Sequence, residues 1–295
     1  MAVTAPSVSV LRPARRTGSA AQFWYRFARN RWAVVALIFI VLQIMTGVFA
    51  RYIAPYDPYF SDYSAVYQAP NAKHLLGSDD LGRDVLSRII YGTRVSYTVG
   101  VVSQVLIVMI GLPLGAVAGL VGGWLDYALM RVIDVLSSIP GLLLSILLLV
   151  VLGPGVVSIL VAMTITGWIG IARLVRGQVL SLKETDFVRA SRAMGAGTAW
   201  IVRTHILRNS LTPVIVSMTL GVPGAMFGEA ALSFLGLGIP PPTPSWGQMI
   251  GVYQSFVRTS PHLILYPSIV LAITMLAWIV LGDGVRDALD PNIRT

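Results

Sequence analysis

One acidic side chain stands inside an apolar stretch, where chemistry within a membrane would need it. Glu229 lies in the run Gly228-Glu-Ala-Ala-Leu-Ser-Phe-Leu-Gly236. Because carboxylates are unfavourable in lipid, such residues face a protein interior or a water-filled cavity. Glu229 is therefore a candidate residue of a solute pathway. The alternative is an acid at a helix end, close to the outer membrane boundary.

Most patterns that indicate catalysis or cofactor binding are missing from the sequence. It contains no cysteine, three widely separated histidines and no H-E-x-x-H, so thiol catalysis and zinc–thiolate sites are excluded and no metal site is expected. Neither lysine, Lys73 or Lys183, follows a glycine, so the nucleotide-binding pattern G-x-x-x-x-G-K-[ST] does not occur. Glu229, Asp134 and scattered serines supply no combined nucleophile, acid and base. We therefore expect neither an enzyme nor a bound cofactor.

A polar, basic segment at residues 176–210 separates two apolar stretches. Within it, Asp186–Met194 has the spacing of a short helix, which Gly195 and Gly197 would end with a left-handed cap. One side of this helix carries small and apolar residues, namely Phe187, Ala190, Ala193 and Met194. The opposite side carries the basic residues Arg189 and Arg192. The small, apolar side favours docking into a groove on a partner. The alternative is a solvated basic loop attracted to anionic lipid.

A second polar motif, His74-Leu-Leu-Gly-Ser-Asp-Asp-Leu-Gly-Arg-Asp-Val-Leu-Ser-Arg88, precedes the second apolar stretch. It predicts a turn followed by an amphipathic helix at the membrane surface. Ser78 would cap that helix, and Asp79 and Asp80 would favour its positive end. The acidic pair is alternatively a contact for a partner or a ligand. Further along, the proline-rich segment Pro240–Trp246 predicts an external loop whose tryptophan lies at the lipid boundary.

Glycine recurs at every fourth position near the end of the second apolar stretch, at Gly111, Gly115, Gly119 and Gly123. Residues with this spacing share one helix face and let another backbone approach closely. The face predicts helix packing. The contact is either within this chain or a moving or inter-subunit contact, and the sequence leaves both open.

The composition predicts an all-α, polytopic membrane protein. The chain of 295 residues is 55% hydrophobic and 12% charged, with a mean hydropathy of +0.74. A soluble domain carries about 25% charged residues. Six stretches are long and apolar enough to form transmembrane helices. These are Trp32–Ala54, Val95–Val121, Tyr127–Leu152, Val156–Val175, Leu211–Leu235 and Leu263–Gly282.

The distribution of basic residues predicts the orientation. One side of the membrane receives sixteen Lys and Arg residues and the other six. By the positive-inside rule, the first side is cytoplasmic and both termini lie there. The net charge of +9 therefore reflects topology, and nucleic acid is not an expected partner. The predicted regions are a cytoplasmic tail (1–31), a transmembrane domain (32–282) with external loops 55–94 and 236–262 and cytoplasmic loop 176–210, and a second cytoplasmic tail (283–295).

Two motifs resemble elements of a known transporter family. The stretch Phe187-Val-Arg-Ala-Ser-Arg-Ala-Met-Gly195, followed by His205-Ile-Leu and Asn209, resembles the EAA loop of permease subunits in ABC importers. The His74–Arg88 stretch resembles the H-L-L-G-T-D-x-x-G-R-D element of the oligopeptide/dipeptide/nickel branch of these importers.

A third stretch extends the resemblance. Glu229–Gly238 and Trp246-Gly look like the A-L-S-F-L-G-L-G and S-W-G elements of the same branch. The likeness covers about Phe23 to Pro291 and is nearest to the dipeptide permease C-type subunit. It implies a type I ABC importer permease fold with six transmembrane helices in the bacterial inner membrane.

The resemblance also implies partners. A second homologous permease subunit would complete the pathway as a heterodimer, two ATP-binding subunits would hold ATP and Mg²⁺, and an external substrate-binding protein would deliver di- or oligopeptides. The alternatives are nickel or another small solute as cargo, or a stand-alone channel. The ATPases would contact the loop residues Asp186, Phe187, Arg189, Ala190, Ser191, Ala193, Met194, Gly195 and Ala196.

The loop departs from the family pattern at three positions. Arg189 stands where the motif has glutamate, Ser191 replaces the second alanine, and Arg208 replaces the usual proline. The contact that the family glutamate makes with the ATPase is therefore not carried over. Ala190 and Gly195 match the motif.

Overall fold

The computed structural model describes residues 19–201, residue 204 and residues 207–289, and these are predominantly helical. Most of the first predicted tail, residues 290–295 and the His205-Ile206 part of the loop motif lie outside them. In chain order the helices are α1 (Ser19–Arg29), α2 (Arg31–Val48), α3 (Ala50–Ile53), α4 (Val85–Tyr97), α5 (Ser103–Val121), α6 (Gly123–Ser137), α7 (Gly141–Leu152), α8 (Val156–Lys183), α9 (Asp186–Ala193), α10 (Thr198–Ile201), α11 (Leu207–Phe234), α12 (Trp246–Tyr253) and α13 (His262–Leu289).

Among the described residues, five helical stretches are long and apolar enough to cross a membrane, and there are six when a bent helix pair is counted as one span. The five are Arg31–Val48, Val85–Val121, Val156–Lys183, Ser210–Phe234 and His262–Leu289. The predicted third span consists of α6 and α7, which meet at 85°. Pro140 explains the break, because proline disfavours helical geometry in the residue before it. The all-α architecture predicted from the sequence is confirmed.

The second span begins ten residues earlier than the predicted Val95. Helix α4 starts at Val85 and continues into α5 through a π-helical turn at Thr98–Val102. Its cap is Asp84, whose carboxylate accepts a hydrogen bond from the backbone N–H of Ser87 at 2.8 Å. The prediction of Ser78 as the cap was wrong. The segment before Asp84 forms a turn. Asp79 and Asp80 belong to this turn and not to the first turn of α4.

Helices also extend into both predicted tails. The N-terminal tail contains α1, whose Phe27 is buried in the same apolar cluster as Leu271 and Leu281 of α13. Helix α13 runs beyond the predicted end at Gly282, and its Gly284 lies directly against Ala33 of α2. These contacts make both segments part of the folded helical unit.

Among the described residues, four apolar clusters hold the helices together, and two of them bear on the site. The larger cluster joins α1, α2, α4, α11, α12 and α13, with Trp246 fully buried within it. The second joins α5, α8, α9, α10 and α11, and includes Val179 and Val188. Helix α11 contributes to both and therefore links the two groups.

The glycine face of α5 packs against α8. A Cβ at Gly111 would lie 2.7 Å from the carbonyl oxygen of Trp168, and one at Gly119 would lie 2.8 Å from Cβ of Val179. A Cβ at Gly115 would overlap the backbone of Ala172. These three glycines therefore let the two backbones approach within this chain.

Gly123, the fourth residue of the predicted face, does not share this contact. The chain turns at Gly122, and Gly123 begins α6 with φ at +60°. No atom outside its immediate neighbours lies within 4 Å of a Cβ built there. The left-handed backbone explains why this position is a glycine, and packing does not.

We expect Gly115→Val to separate α5 from α8, because the added atoms would overlap a backbone that cannot move aside. Overpacking of this kind reduces the free energy of unfolding by about 1–3 kcal/mol or more. The measurement is the fraction of monodisperse protein remaining after heating in detergent. Gly177→Ala is the matched control, since Gly177 of α8 faces open space and alanine favours a helix by about 1 kcal/mol. Equal stability of the two variants would contradict the packing role.

Candidate functional site

Helix α9 lies on the rest of the chain through a face that the sequence did not indicate. Val188 is fully buried, and Ser191 is also buried, with its hydroxyl donating to the carbonyl of Phe187 at 2.8 Å. Val188 shares an apolar cluster with Val179 of α8 and Ile201 of α10. Ser191, predicted to contact the ATPase, therefore belongs to the inner side of the helix.

The rest of α9 is open and presents small and apolar residues beside the exposed Asp186 and Arg189. Phe187, Ala190 and Ala193 are exposed, and the following Met194 is 80% exposed. These residues follow the spacing predicted for a docking face. A row of exposed apolar side chains on a charged segment is typical of a protein contact surface.

The end of α9 has the predicted left-handed cap at one of the two glycines. Gly195 has φ at +85°, and the next N–H, from Ala196, donates to the carbonyl of Ser191 at 3.0 Å. This is the long bond of a Schellman motif. Gly197 does not cap α9. Its carbonyl accepts the N–H groups of Trp200 and Ile201 and so starts α10.

Arg189, which stands at the position of the family glutamate, points outward. Its guanidinium contacts the carboxylate of Glu184 at 2.7 Å, and both side chains are largely exposed. An exposed pair of this kind adds about 0–1 kcal/mol to stability. Asp186 at the start of the helix is also exposed.

Basic residues before α9 fix the end of α8 in place. The Lys183 ammonium donates to the carbonyls of Gly119 and Leu120 at 3.0 Å each, which satisfies acceptors at the end of α5. Arg176 forms a two-point contact with Asp126 of α6, at 2.5 and 2.7 Å. Both residues were predicted from the sequence only as charges on one side of the membrane. The structure shows that they position the segment that carries α9.

At the other end of the spans, the predicted acidic motif forms a buried ionic cluster. Asp79 is fully buried and accepts the Arg83 side chain at 2.7 Å, with Nε of Arg88 at 3.4 Å. The hydroxyl of Tyr253 from α12 lies 3.0 Å from Asp79 and 2.8 Å from Asp80. Burial and then the charge of Asp79 raise the pKa of the Tyr253 phenol, so it stays neutral. Asp79 and Asp80 therefore bind partners within this chain.

The same motif ties the segment before α4 to α12 through Arg88. This fully buried guanidinium donates to the carbonyls of Pro58 and Pro242, at 3.2 and 3.4 Å, and to Gln248 at 3.4 Å. Trp246, expected at the lipid boundary, is fully buried instead, and its indole N–H donates to the carbonyl of Ile89 at 3.0 Å. Pro242 and Gln248 lie 154 and 160 positions from Arg88, and no regular spacing in the sequence links them.

Glu229 lies at the junction of α11 and α12. Its side chain is 1% exposed, and one carboxylate oxygen accepts the hydroxyls of Ser245 at 2.8 Å and Ser233 at 3.0 Å. Ser245 caps α12, so the carboxylate also lies at the positive end of that helix. Glu229 therefore joins α11 to α12. A part in the solute pathway stays a prediction.

Residues 111–295 match the family described as the inner membrane component of binding-protein-dependent transport systems. The chain belongs to this family. Residues 20–70 match the N-terminal transmembrane domain of oligopeptide transport permease C. The chain is thus a multi-pass inner-membrane permease.

Curated relatives resemble this permease over nearly its whole length. The oligopeptide permease OppC of Bacillus subtilis is 44% identical over 91% of this chain and 88% of its own. The dipeptide permease DppC of the same organism is 42% identical over 92% and 85%. The glutathione permease GsiD of Pectobacterium atrosepticum is 41% identical over 93% and 91%.

A solved structure has the same fold. A chain of the MetNI methionine ABC transporter, in an inward-facing crystal form, superposes with a TM-score of 0.57 and 23% identity. The match covers 68% of this chain and 96% of that one. The permease therefore has the type I ABC importer fold.

We expect Asp79→Asn to destabilise the permease strongly, because it leaves Arg83 and Arg88 buried without their shared carboxylate. Removing one member of a buried pair costs about 3–5 kcal/mol. The measurement is the yield of folded protein and its resistance to heating in detergent. The control is Asp134→Asn, which removes an exposed partner of Arg173 and should change stability by less than about 1 kcal/mol. Two equally mild variants would contradict the role of the cluster.

Proposed function

We propose that this permease forms half of the translocation pathway of an ATP-driven importer of di- and oligopeptides. A second homologous permease completes the pathway, two ATPase subunits bind ATP and Mg²⁺, and an external binding protein delivers the peptide. The observation that carries the proposal is the open face of α9, formed by Phe187, Ala190, Ala193 and Met194. Family membership and the peptide-transport relatives support it.

The orientation follows from the basic residues in this proposal. The side that carries α9 is cytoplasmic, as are both termini, and the cluster around Asp79 faces outward. The ATPases then meet α9, and the external binding protein meets the opposite end of the permease. The absence of the G-x-x-x-x-G-K-[ST] pattern from the sequence agrees with ATP binding on other subunits.

Coupling depends on how α9 is attached. Its inner face packs on the end of α8 through Val188, while Lys183 joins that end to α5. When the ATPases close, movement of α9 is passed to α8 and α5, and the spans shift between outward-open and inward-open states. Contact with the ATPase depends on the shape of the surface around Ala190 and Gly195, since Arg189 has replaced the family glutamate.

The proposal predicts that uptake requires the whole assembly. Proteoliposomes that contain both permeases and both ATPases should accumulate a labelled dipeptide when the binding protein and ATP are present. Vesicles with this permease alone should accumulate none. Uptake by this chain alone would instead indicate a channel. Uptake of a metal or another small solute, with no peptide uptake, would favour the second cargo class.

A bulky side chain on the open face of α9 should uncouple the permease. Ala190→Trp is expected to reduce uptake by at least about tenfold and to weaken ATPase retention on purification, because about 1.4 kcal/mol of contact energy corresponds to a factor of ten. The control is Asp134→Asn, which removes only an exposed ion pair outside α9 and should leave uptake within about twofold of the parent. Thermal stability in detergent should be unchanged in both. Full coupling in Ala190→Trp would contradict the docking surface.

A further inference from the structure

A cavity of about 390 Å³ opens between the membrane-spanning helices. Its walls come from α5, α7, α8 and α11, and its volume is in the range of small-molecule sites, about 300–1,000 Å³. None of its lining residues is charged. A solute held there must therefore be recognised by neutral hydrogen-bonding groups and by shape.

The side chain of Gln104 is the polar group that distinguishes this cavity. Gln104 lies near the middle of the span Val85–Val121 and lines the cavity, with 7% of its residue surface exposed. Among the residues that the structure describes, none forms a hydrogen bond with its amide. Because it lines the cavity, the amide is accessible from there, and an amide that lacks a protein partner is stabilised by a ligand that bonds to it. Such a group is suited to a ligand that supplies the missing bonds.

The neighbouring hydroxyl groups differ from Gln104 in this respect. Ser145 donates to the carbonyl of Gly141 at 2.9 Å, and Thr166 donates to the carbonyl of Ala162 at 3.1 Å. Their protons are used within their own helices. The Gln104 amide is thus the one lining side chain, within the described ranges, that keeps both a donor and an acceptor available.

Glycines give the amide its position and leave the cavity open. The Gln104 amide lies so close to Gly221 of α11 that a Cβ there would overlap it. Gly224, one turn further along α11, and Gly141 at the start of α7 both face open space. Since nothing packs against these two positions, the missing side chains there contribute to the volume of the cavity.

We propose that this cavity is a peptide-binding site within the permease, in which Gln104 pairs with a main-chain amide of the solute. The Oε1 atom accepts a hydrogen bond from the peptide N–H of the solute. An amide oxygen can accept this bond whatever side chains the peptide carries. This proposal rests on the proposed function and names the group by which the pathway recognises its cargo.

The same chemistry explains how one site serves different peptides. Oligopeptides, dipeptides and glutathione, which are the cargoes named for the relatives, all contain a peptide bond. A neutral site offers no ion pair to charged ends or charged side chains. Selection by charge therefore lies elsewhere, while Gln104 binds the peptide bond that these solutes share.

The test combines a substitution in the protein with a change in the peptide. Gln104→Met keeps the length of the side chain and removes its hydrogen bonds, and N-methylation of the peptide bond removes the solute donor. In proteoliposomes containing the complete transporter, Gln104→Met should reduce uptake of the unmodified dipeptide by about tenfold. It should reduce uptake of the N-methylated dipeptide by less than about twofold, because the bond in question is already absent.

For each peptide, the uptake by the variant is divided by the uptake by the parent, and the two ratios are compared. Preferences of the external binding protein cancel in that ratio, because the same binding protein delivers both peptides. Gln43→Met is the matched control. The Gln43 amide oxygen already accepts from Tyr97 at 2.7 Å and Thr274 at 3.0 Å, so any loss should be the same for both peptides.

Each outcome decides between the two proposals. Equal reduction of both peptides by Gln104→Met, or no reduction of either, would overturn the binding site and leave peptide import standing. Failure of the parent transporter to import any peptide would overturn the proposed function. If Gln104→Met does not fold, Gln104→Asn withdraws the amide by one carbon, and the same unequal loss is expected. An equal loss in that variant would overturn the site.

Discussion

The close contact between α5 and α8 is the constraint on which the rest of this permease depends. Three glycines of α5 remove the side chains that would keep the two backbones apart. In lipid there is little hydrophobic driving force between helices, so close packing of this kind holds them together. The amide of Gln104 lies on one of these helices, and the other ends in the segment that carries α9. The position of each surface is therefore determined by the same contact.

Polar interactions lock the two ends of the helices in different ways. At the end near α9, Lys183 and Arg176 bind carbonyls and a carboxylate of neighbouring helices. At the opposite end, Asp79 and Arg88 are buried among groups from distant parts of the chain. The first set is formed by charges that remain partly accessible. The second is fully enclosed, so that disrupting it leaves a charge without water or partner.

The features that could be predicted from the sequence are those with a local signal. The apolar stretches, the short helix at Asp186–Ala193 and its cap at Gly195 each follow from the spacing of neighbouring residues. The three family motifs lie within single stretches as well. Gly123 shows the limit of this reasoning, because it continues the spacing of the glycine face but follows a turn of the backbone at Gly122.

The features that could not be predicted depend on contacts between distant residues. Asp79 was expected near the start of a helix, yet its partner Tyr253 lies on α12. Trp246 was expected at the lipid, and Ser191 was expected to contact the ATPase, because a local pattern does not show which side of a helix other elements will cover. The amide of Gln104 gave no sequence signal either, since its meaning depends on Gly221 more than a hundred residues away.

The turn at Gly195 has a mechanical consequence. The bond from Ala196 to Ser191 closes the end of α9, and Val188 holds the helix against α8 and α10. These two contacts therefore hold the helix against the end of α8. A displacement of α9 would carry that end of α8 with it. The direction of that displacement is the direction in which the end of α8 can move.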